Sequence, residues 1–304
     1  MAHLVFIHGI ANKPEAQELL GIWRRSLGRE GGVNLGATGI NSSMAYWADV
    51  MYGAPQEGLA AQEAADADAP AGLEAGEGLE ALEDDWTRAF EATYGMVPGE
   101  GPDEVMAEVA GSALERIPPP WAIKRPFMKL LARDTHHYLF NASHSPRPGV
   151  THRVRDVVRG RFVSALQAAA EDGGPLIVVA HSQGTVVAYD CLKNVPECPR
   201  VDQLITVGSP LGLHEVQEKL APGYSREDGF PAAVTGAWDN VYDPLDIVSR
   251  PDPQLANDYC RGGAEVVTDH VATNQGLWRH SMVEYLSGPT LRGIVRRAFG
   301  LPDG

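Results

Sequence analysis

Five apolar residues in a row, Leu176-Ile177-Val178-Val179-Ala180, constrain this chain more than any other feature. The run follows a chain-breaking group, Glu171-Asp172-Gly173-Gly174-Pro175, and a helical stretch resumes almost at once at Thr185. So short a run, wholly apolar and rich in β-branched residues, reads as a strand buried on both faces. Such a strand needs helices on both sides of a mostly parallel sheet. The rest of the chain repeats the theme. Strands are expected at 3–7, 44–47, 203–207, 238–242 and 264–268, and helices at 15–27, from about 148 to 170, and at 282–299. The fold class expected is therefore α/β, doubly wound, and without internal repeats.

At 304 residues and 44% hydrophobic content the chain can bury one large core. Its three cysteines, Cys191, Cys198 and Cys260, are odd in number and form no C-x-x-C pair. They suggest neither a disulfide framework nor a zinc knuckle, and a reducing compartment fits them best. No apolar run reaches the roughly 18 residues that span a bilayer, and residues 1–10 lack the features of a signal peptide. A cytoplasmic location is expected.

The formal net charge is -15. Between Ala54 and Arg116 there are 16 acidic residues and two arginines, so nearly all of the excess lies in one stretch. Nucleic acid is excluded as a partner, because phosphate binding needs clustered Lys and Arg. Two units follow: an α/β core at 1–53 and 146–304, and an inserted helical cap at 54–145, acidic in its first half. In its second half, residues 121–140 mix Trp121, Phe127, Met128, Leu130, Leu131, Tyr138 and Phe140 with basic side chains. An amphipathic helix is expected there, packed over the core, with peripheral membrane or partner contact as the other use of its apolar face. The histidines at 136, 137, 144 and 152 lack the spacing of a metal motif, so no metal site is expected.

The sequence Ala180-His181-Ser182-Gln183-Gly184 joins the buried strand to the following helix, which is the context that a small-x-Ser-x-Gly turn requires. At such a turn the serine is held in a strained conformation, so the residues two before and two after it must be small. Ala180 and Gly184 satisfy that demand. The plain alternative is a serine that caps the helix.

With this motif in its strand and helix context, the chain resembles the α/β-hydrolase superfamily, especially its lipase-like and esterase-like branches. The likeness covers most of the sequence outside 54–145. It departs from the family in opening on the strand that precedes the oxyanion loop, which implies a reduced sheet of about six strands.

The resemblance implies a set of roles. Ser182 would be the nucleophile, and the N–H of Gln183 one oxyanion donor. The second donor would be Ile10, in the His8-Gly9-Ile10-Ala11 segment after the first strand, with Gly9 making the turn and His8 bracing the loop. The acid would follow the strand at 238–242, where Asp243 and Asp246 compete. The family pattern favours Asp246, Asp243 beside Pro244 being suited to ordering the turn. The base would be His280, just ahead of the terminal helix, in preference to His270.

The function implied is hydrolysis of carboxylic esters, lipid-like esters among them, through an acyl-serine and without a cofactor. Thioesterase, amidase and lactonase activities use the same apparatus, and a catalytically silent hydrolase-like binding protein is the competing class.

Overall fold

In the computed structural model, residues 1–57, 85–94, 121–220, 223–275 and 278–302 are described. The elements in chain order are β1 (His3–Ile7), α1 (Ala16–Gly28), β2 (Asn41–Ala45), α2 (Ala48–Met51), α3 (Asp85–Thr93), α4 (Trp121–Leu139), β3 (Ser143–Arg147) and β4 (Val150–Arg153). They continue with α5 (Val154–Ala170), β5 (Leu176–His181), α6 (Gln183–Asn194), β6 (Val201–Val207), α7 (His214–Gln217), β7 (Val234–Tyr242), β8 (Val267–Val271), α8 (Met282–Ser287) and α9 (Pro289–Ala298).

Six strands form one sheet in the order β2-β1-β5-β6-β7-β8, and every pair in it is parallel. All six residues of β5 are buried, which is why that strand carries no polar alternation. The period of two divides the sheet between two cores. Val5, Ile7, Val178 and Ala180 face α4, α5 and α6, whereas Leu4, Phe6, Ile177 and Val179 face α1, α8 and α9. Each of the Val, Leu, Ile and Phe side chains among them contributes about 1.5–3 kcal/mol by leaving water.

This arrangement fixes where a site can form. From β1 the chain crosses to β2 through α1 on one face, then returns through α5 on the other face to place β5 on the opposite side of β1. Strand order therefore reverses between β1 and β5. In open α/β sheets the crevice at such a reversal, beyond the carboxyl ends of the strands, is where ligands bind.

Three expectations need correction. The strand expected at 264–268 is Val267–Val271, because Ala264 closes a small bridge with Arg261 instead. The strand expected at 44–47 is Asn41–Ala45. Residues 143–153, expected to end the cap and begin a helix, form an antiparallel hairpin in which His144 opposes His152. Its turn is made at Pro148-Gly149, where Gly149 has φ +78°, and α5 starts only at Val154. The hairpin straddles the expected boundary at 145/146.

The amphipathic helix expected at 121–140 is present as α4. Phe127, Met128, Leu130, Leu131 and Tyr138 are buried within the core on the α5/α6 side, and Phe140, just past the helix, is exposed. Its apolar face is thus used inside the molecule. The acidic helices expected at 58–84 and 95–120 lie outside the described residues. Among the described residues no helix is long and apolar enough to cross a membrane.

Candidate active site

β5 ends at His181, and the chain turns at Ser182 before α6 begins. Ser182 has φ 54° and ψ -130°, a region costly for a residue with a Cβ. Its side chain makes no capping bond to α6, which removes the helix-cap explanation for this serine. The turn is held by the Ser182 N–H donating to the Val207 carbonyl at the end of β6, 3.0 Å away. It also requires small neighbours. A methyl group on Gly184 would lie 2.6 Å from the His8 carbonyl oxygen, and one on Gly9 would lie 2.5 Å from the Ser182 Cβ. Ala180 is fully buried in β5.

The Gly9 contact also places the segment after β1 against the serine. This segment is braced from the β2 side. The Trp47 N–H donates to His8 Nε2 and the Trp47 indole N–H to the His8 carbonyl, both at 3.0 Å, while the two rings stack at 5.0 Å. With Nε2 accepting, His8 Nδ1 carries the proton and donates to the Gly9 carbonyl at 2.8 Å. Ile10 is buried, and Ala11 is forced to φ 69°. The Gln183 N–H stands at the first position of α6, where helix geometry supplies no acceptor. The positive end of the helix points to the same place.

After β7, Asp246 and His280 meet in full burial. His280 Nδ1 lies 2.8 and 2.9 Å from the two Asp246 carboxylate oxygens. The carboxylate also accepts from the Tyr285 hydroxyl and from the Val248 N–H, each at 2.8 Å. Burial, the largest single influence on Asp246, pushes its carboxyl up, but the charge of His280 together with these hydrogen bonds outweighs it and holds the group below its ordinary value. Tyr285 is pushed the other way, by its own burial and then by the Asp246 charge, so it remains a protonated donor. With Nδ1 donating to the carboxylate, His280 presents Nε2 as an acceptor.

His280 is also fixed through its backbone and ring. His181 donates from Nε2 to the His280 carbonyl at 3.0 Å, and the two rings lie 4.6 Å apart. From α4, Phe127 meets the His280 ring edge to face at 5.7 Å. The Asn274 amide donates to the Arg279 carbonyl at 2.6 Å, which ties down the residue just before the histidine. Ser182 Oγ and His280 Nε2 are both buried, and neither makes a hydrogen bond among the described residues. Ser182 and His280 are thus not hydrogen-bonded to each other.

The competing residues are engaged elsewhere. Asp243 accepts from the N–H groups of Leu245 and Asn274, each at 2.7 Å, and makes a local turn. Burial pushes its carboxyl up. His270 sits inside β8 rather than beyond it, and its Nε2 pairs with Asp239 at 2.6 Å. Among the described residues no group of three or more His, Cys, Asp or Glu is placed to hold a metal ion. His137 and His144 do approach, their ring centres 5.2 Å apart.

Several of these contacts have no counterpart in the sequence reading. Gly208 follows β6 with φ +54°, and a methyl group there would fall 2.6 Å from Asp246 Oδ2 and 3.1 Å from His280 Nδ1. A glycine directly after a buried strand is the one signal that could have marked it. Tyr285 and His181 act by tertiary contacts that no local pattern announces.

The architecture is an α/β fold with a parallel six-strand sheet, compatible with α/β-hydrolase-like folds. No family model matches the chain, and no curated protein matches it either. Among solved structures, an uncharacterized protein from Pseudomonas aeruginosa aligns over 98% of this chain and 45% of its own, with 10% identity and a TM-score of 0.36. The chain therefore spans less than half the length of that structure.

Proposed function

We propose that the protein is a serine hydrolase of carboxylic esters. The observation that carries this reading is the buried Asp246–His280 pair, in contact with His181, the residue just before a serine held at positive φ. In the proposed cycle Ser182 Oγ attacks the ester carbonyl as its proton passes to His280 Nε2. The carbonyl oxygen becomes an oxyanion that accepts from the N–H groups of Ile10 and Gln183, contacts expected to lower the barrier by roughly 3 kcal/mol each. Collapse of the tetrahedral adduct breaks the C–O bond, and the alcohol leaves with the proton from His280. Water then attacks the acyl-serine with His280 again as base, releasing the acid. Asp246 keeps the imidazole in the tautomer that both steps need and stabilises the imidazolium.

Phe127 beside His280 favours an ester with an apolar acyl group, lipid-like esters included. Thioesters, amides and lactones would meet the same groups. The free, buried cysteines at 191, 198 and 260 support a reducing, cytoplasmic setting.

A second reading, a silent hydrolase-like binding protein, draws on the unbonded Ser182 Oγ and His280 Nε2. Labelling with a fluorophosphonate probe separates the two. Covalent labelling of the wild type but not of Ser182→Ala is the expected result. A wild type that stays unlabelled, and hydrolyses neither short- nor long-chain nitrophenyl esters, would leave the silent reading in possession.

A further inference from the structure

Two adjacent residues of α4 reach the two segments from which the oxyanion donors are drawn. Asp134 Oδ2 accepts from the Ala11 N–H at 3.4 Å, one residue beyond Ile10. Thr135 donates its hydroxyl to Gln183 Oε1 at 2.8 Å, on the residue that follows the nucleophile. Both side chains are buried, Asp134 at 1% exposure and Thr135 at 0%. Burial at that level is costly for a carboxylate, so its partners must be secured. They are: Arg133 donates to Asp134 Oδ1 from Nε and from a terminal nitrogen, at 2.9 and 2.7 Å, and the Tyr52 hydroxyl donates to Oδ2 at 2.9 Å. Arg133 donates to the Tyr52 hydroxyl as well, at 2.8 Å, which closes the cluster. Tyr52 in turn lies just after α2, in the segment whose Trp47 braces His8.

The strain in the loop indicates what this cluster does. Ala11 has φ 69°, a conformation that costs an alanine about 1–2 kcal/mol and persists only where its surroundings hold it. The Asp134 carboxylate is a fixed acceptor for the N–H of that strained residue. The peptide that Asp134 turns toward α4 carries the Ala11 N–H and the Ile10 carbonyl. Fixing it restricts rotation about Ile10, and so the preceding peptide, which carries the Ile10 N–H and whose Gly9 carbonyl is held by His8. Thr135 does the corresponding work at the first turn of α6 by holding the Gln183 side chain.

We infer that Asp134 and Thr135 are positioning residues that register the two halves of the oxyanion hole against each other through one turn of α4. The inference rests on the serine-hydrolase reading of the site and deepens it. Neither residue touches the reacting atoms. Their effect falls on the geometry of the donors, and an oxyanion donor acts only as charge develops, so their loss should lower kcat and leave KM nearly unchanged.

The test compares Thr135→Val, which removes only the hydroxyl at nearly constant volume, Thr135→Ser, which restores it, and Asp134→Asn, which keeps the size but not the charge. Each is measured in nitrophenyl butyrate hydrolysis, in inhibition by a trifluoromethyl ketone that mimics the tetrahedral adduct, and in thermal unfolding. The expected result is a fall in kcat of about 10-fold for Thr135→Val and about 30-fold for Asp134→Asn, with KM changed less than about twofold. Affinity for the ketone should weaken in step with kcat/KM, and Thr135→Ser should recover to within about threefold of wild type. A merely structural role would move the melting temperature and the active fraction without moving ketone affinity per active site. Wild type that is active and labelled, with ketone affinity unchanged in Thr135→Val and Asp134→Asn, would overturn this inference and leave the hydrolase reading standing. A wild type that is neither labelled nor active would overturn both.

Discussion

His280 and His270 each pair with an aspartate, at 2.8 and 2.6 Å, and by distance alone the second pair is the better one. Their surroundings separate them. The side chains of His280 and Asp246 are 1% and 0% exposed, whereas those of His270 and Asp239 are 23% and 11% exposed. Asp246 is held by Tyr285 and by the Val248 N–H, and Gly208 leaves the space in which the pair meets. Asp239 receives Gln203, and His270 lies in regular register opposite Val241 within the sheet. An Asp–His contact is therefore not by itself a general base. What distinguishes the first pair is a buried site at the end of a strand, in contact with the residue that precedes a strained serine.

The largest expected effect tests that distinction directly. His280→Ala should lower kcat for nitrophenyl ester hydrolysis by about 10⁴-fold, while His270→Ala stays within about threefold of wild type. Comparable losses in the two variants would erase the contrast, and a loss confined to His270→Ala would invert it. Next comes the space around the buried pair. Among the described glycines, only Gly208 approaches either pair, and Gly208→Ala would press a methyl group on both Asp246 and His280 while demanding φ +54° of an alanine. A fall in kcat of about 100-fold is expected, with about 1–2 kcal/mol lost in chemical denaturation. Wild-type activity in this variant would mean that the pair tolerates displacement.

How much of this could be read from the sequence depends on whether a residue's role is local. The strand at β5 and the turn at Ser182 were legible, because burial on both faces and a strand-to-helix junction leave their mark in adjacent residues. Asp246 and His280 were preferred over Asp243 and His270 through a resemblance alone; that the two pair in full burial is a tertiary contact no local pattern announces. The hairpin at 143–153 was not legible, since it is a largely exposed two-stranded excursion whose Ser-His-Ser-Pro-Arg strand has no apolar alternation. β8 was misplaced by three residues because Asp269 and His270 interrupt the apolar pattern of an edge strand. Asp134, Thr135 and Tyr285 act across separations of 39 to 123 residues, and such contacts exist only once the two faces of the sheet are covered.

The same contrast extends to stability. Replacing Asp246 by Asn should cost about 2–3 kcal/mol at neutral pH, because it removes a charge that three donors surround in full burial. The partly exposed Asp239→Asn should cost about 1 kcal/mol or less. The pH dependence follows from the lowered value at Asp246. A carboxyl whose folded-state value lies below its unfolded one stabilises the protein above the unfolded value, here 3.8, and that stability is lost as pH falls through the folded value. The gap between wild type and Asp246→Asn in urea unfolding should thus be full at pH 6 and shrink below pH 3.8. A gap that stayed constant into acid would mean that the native carboxylate is not favoured by its partners.

The smallest effect concerns the backbone, and it separates the two regions most sharply. His270 occupies ordinary strand geometry, while Ser182 holds φ 54° and ψ -130° at the head of α6. Glycine reaches that conformation without a Cβ penalty, so Ser182→Gly exchanges stored strain for a larger loss of chain entropy on folding. Strain of this kind is worth about 1–3 kcal/mol and the entropy difference about 0.5–1 kcal/mol, which leaves Ser182→Gly more stable than wild type by about 1 kcal/mol. Ser182→Ala keeps the Cβ and should stay within about 0.5 kcal/mol of wild type. Both variants lose the proposed nucleophile, so activity cannot explain a difference between them. If Ser182→Gly unfolds at lower urea than Ser182→Ala, the turn does not store strain, and the positive φ has no bearing on how the hydroxyl is presented.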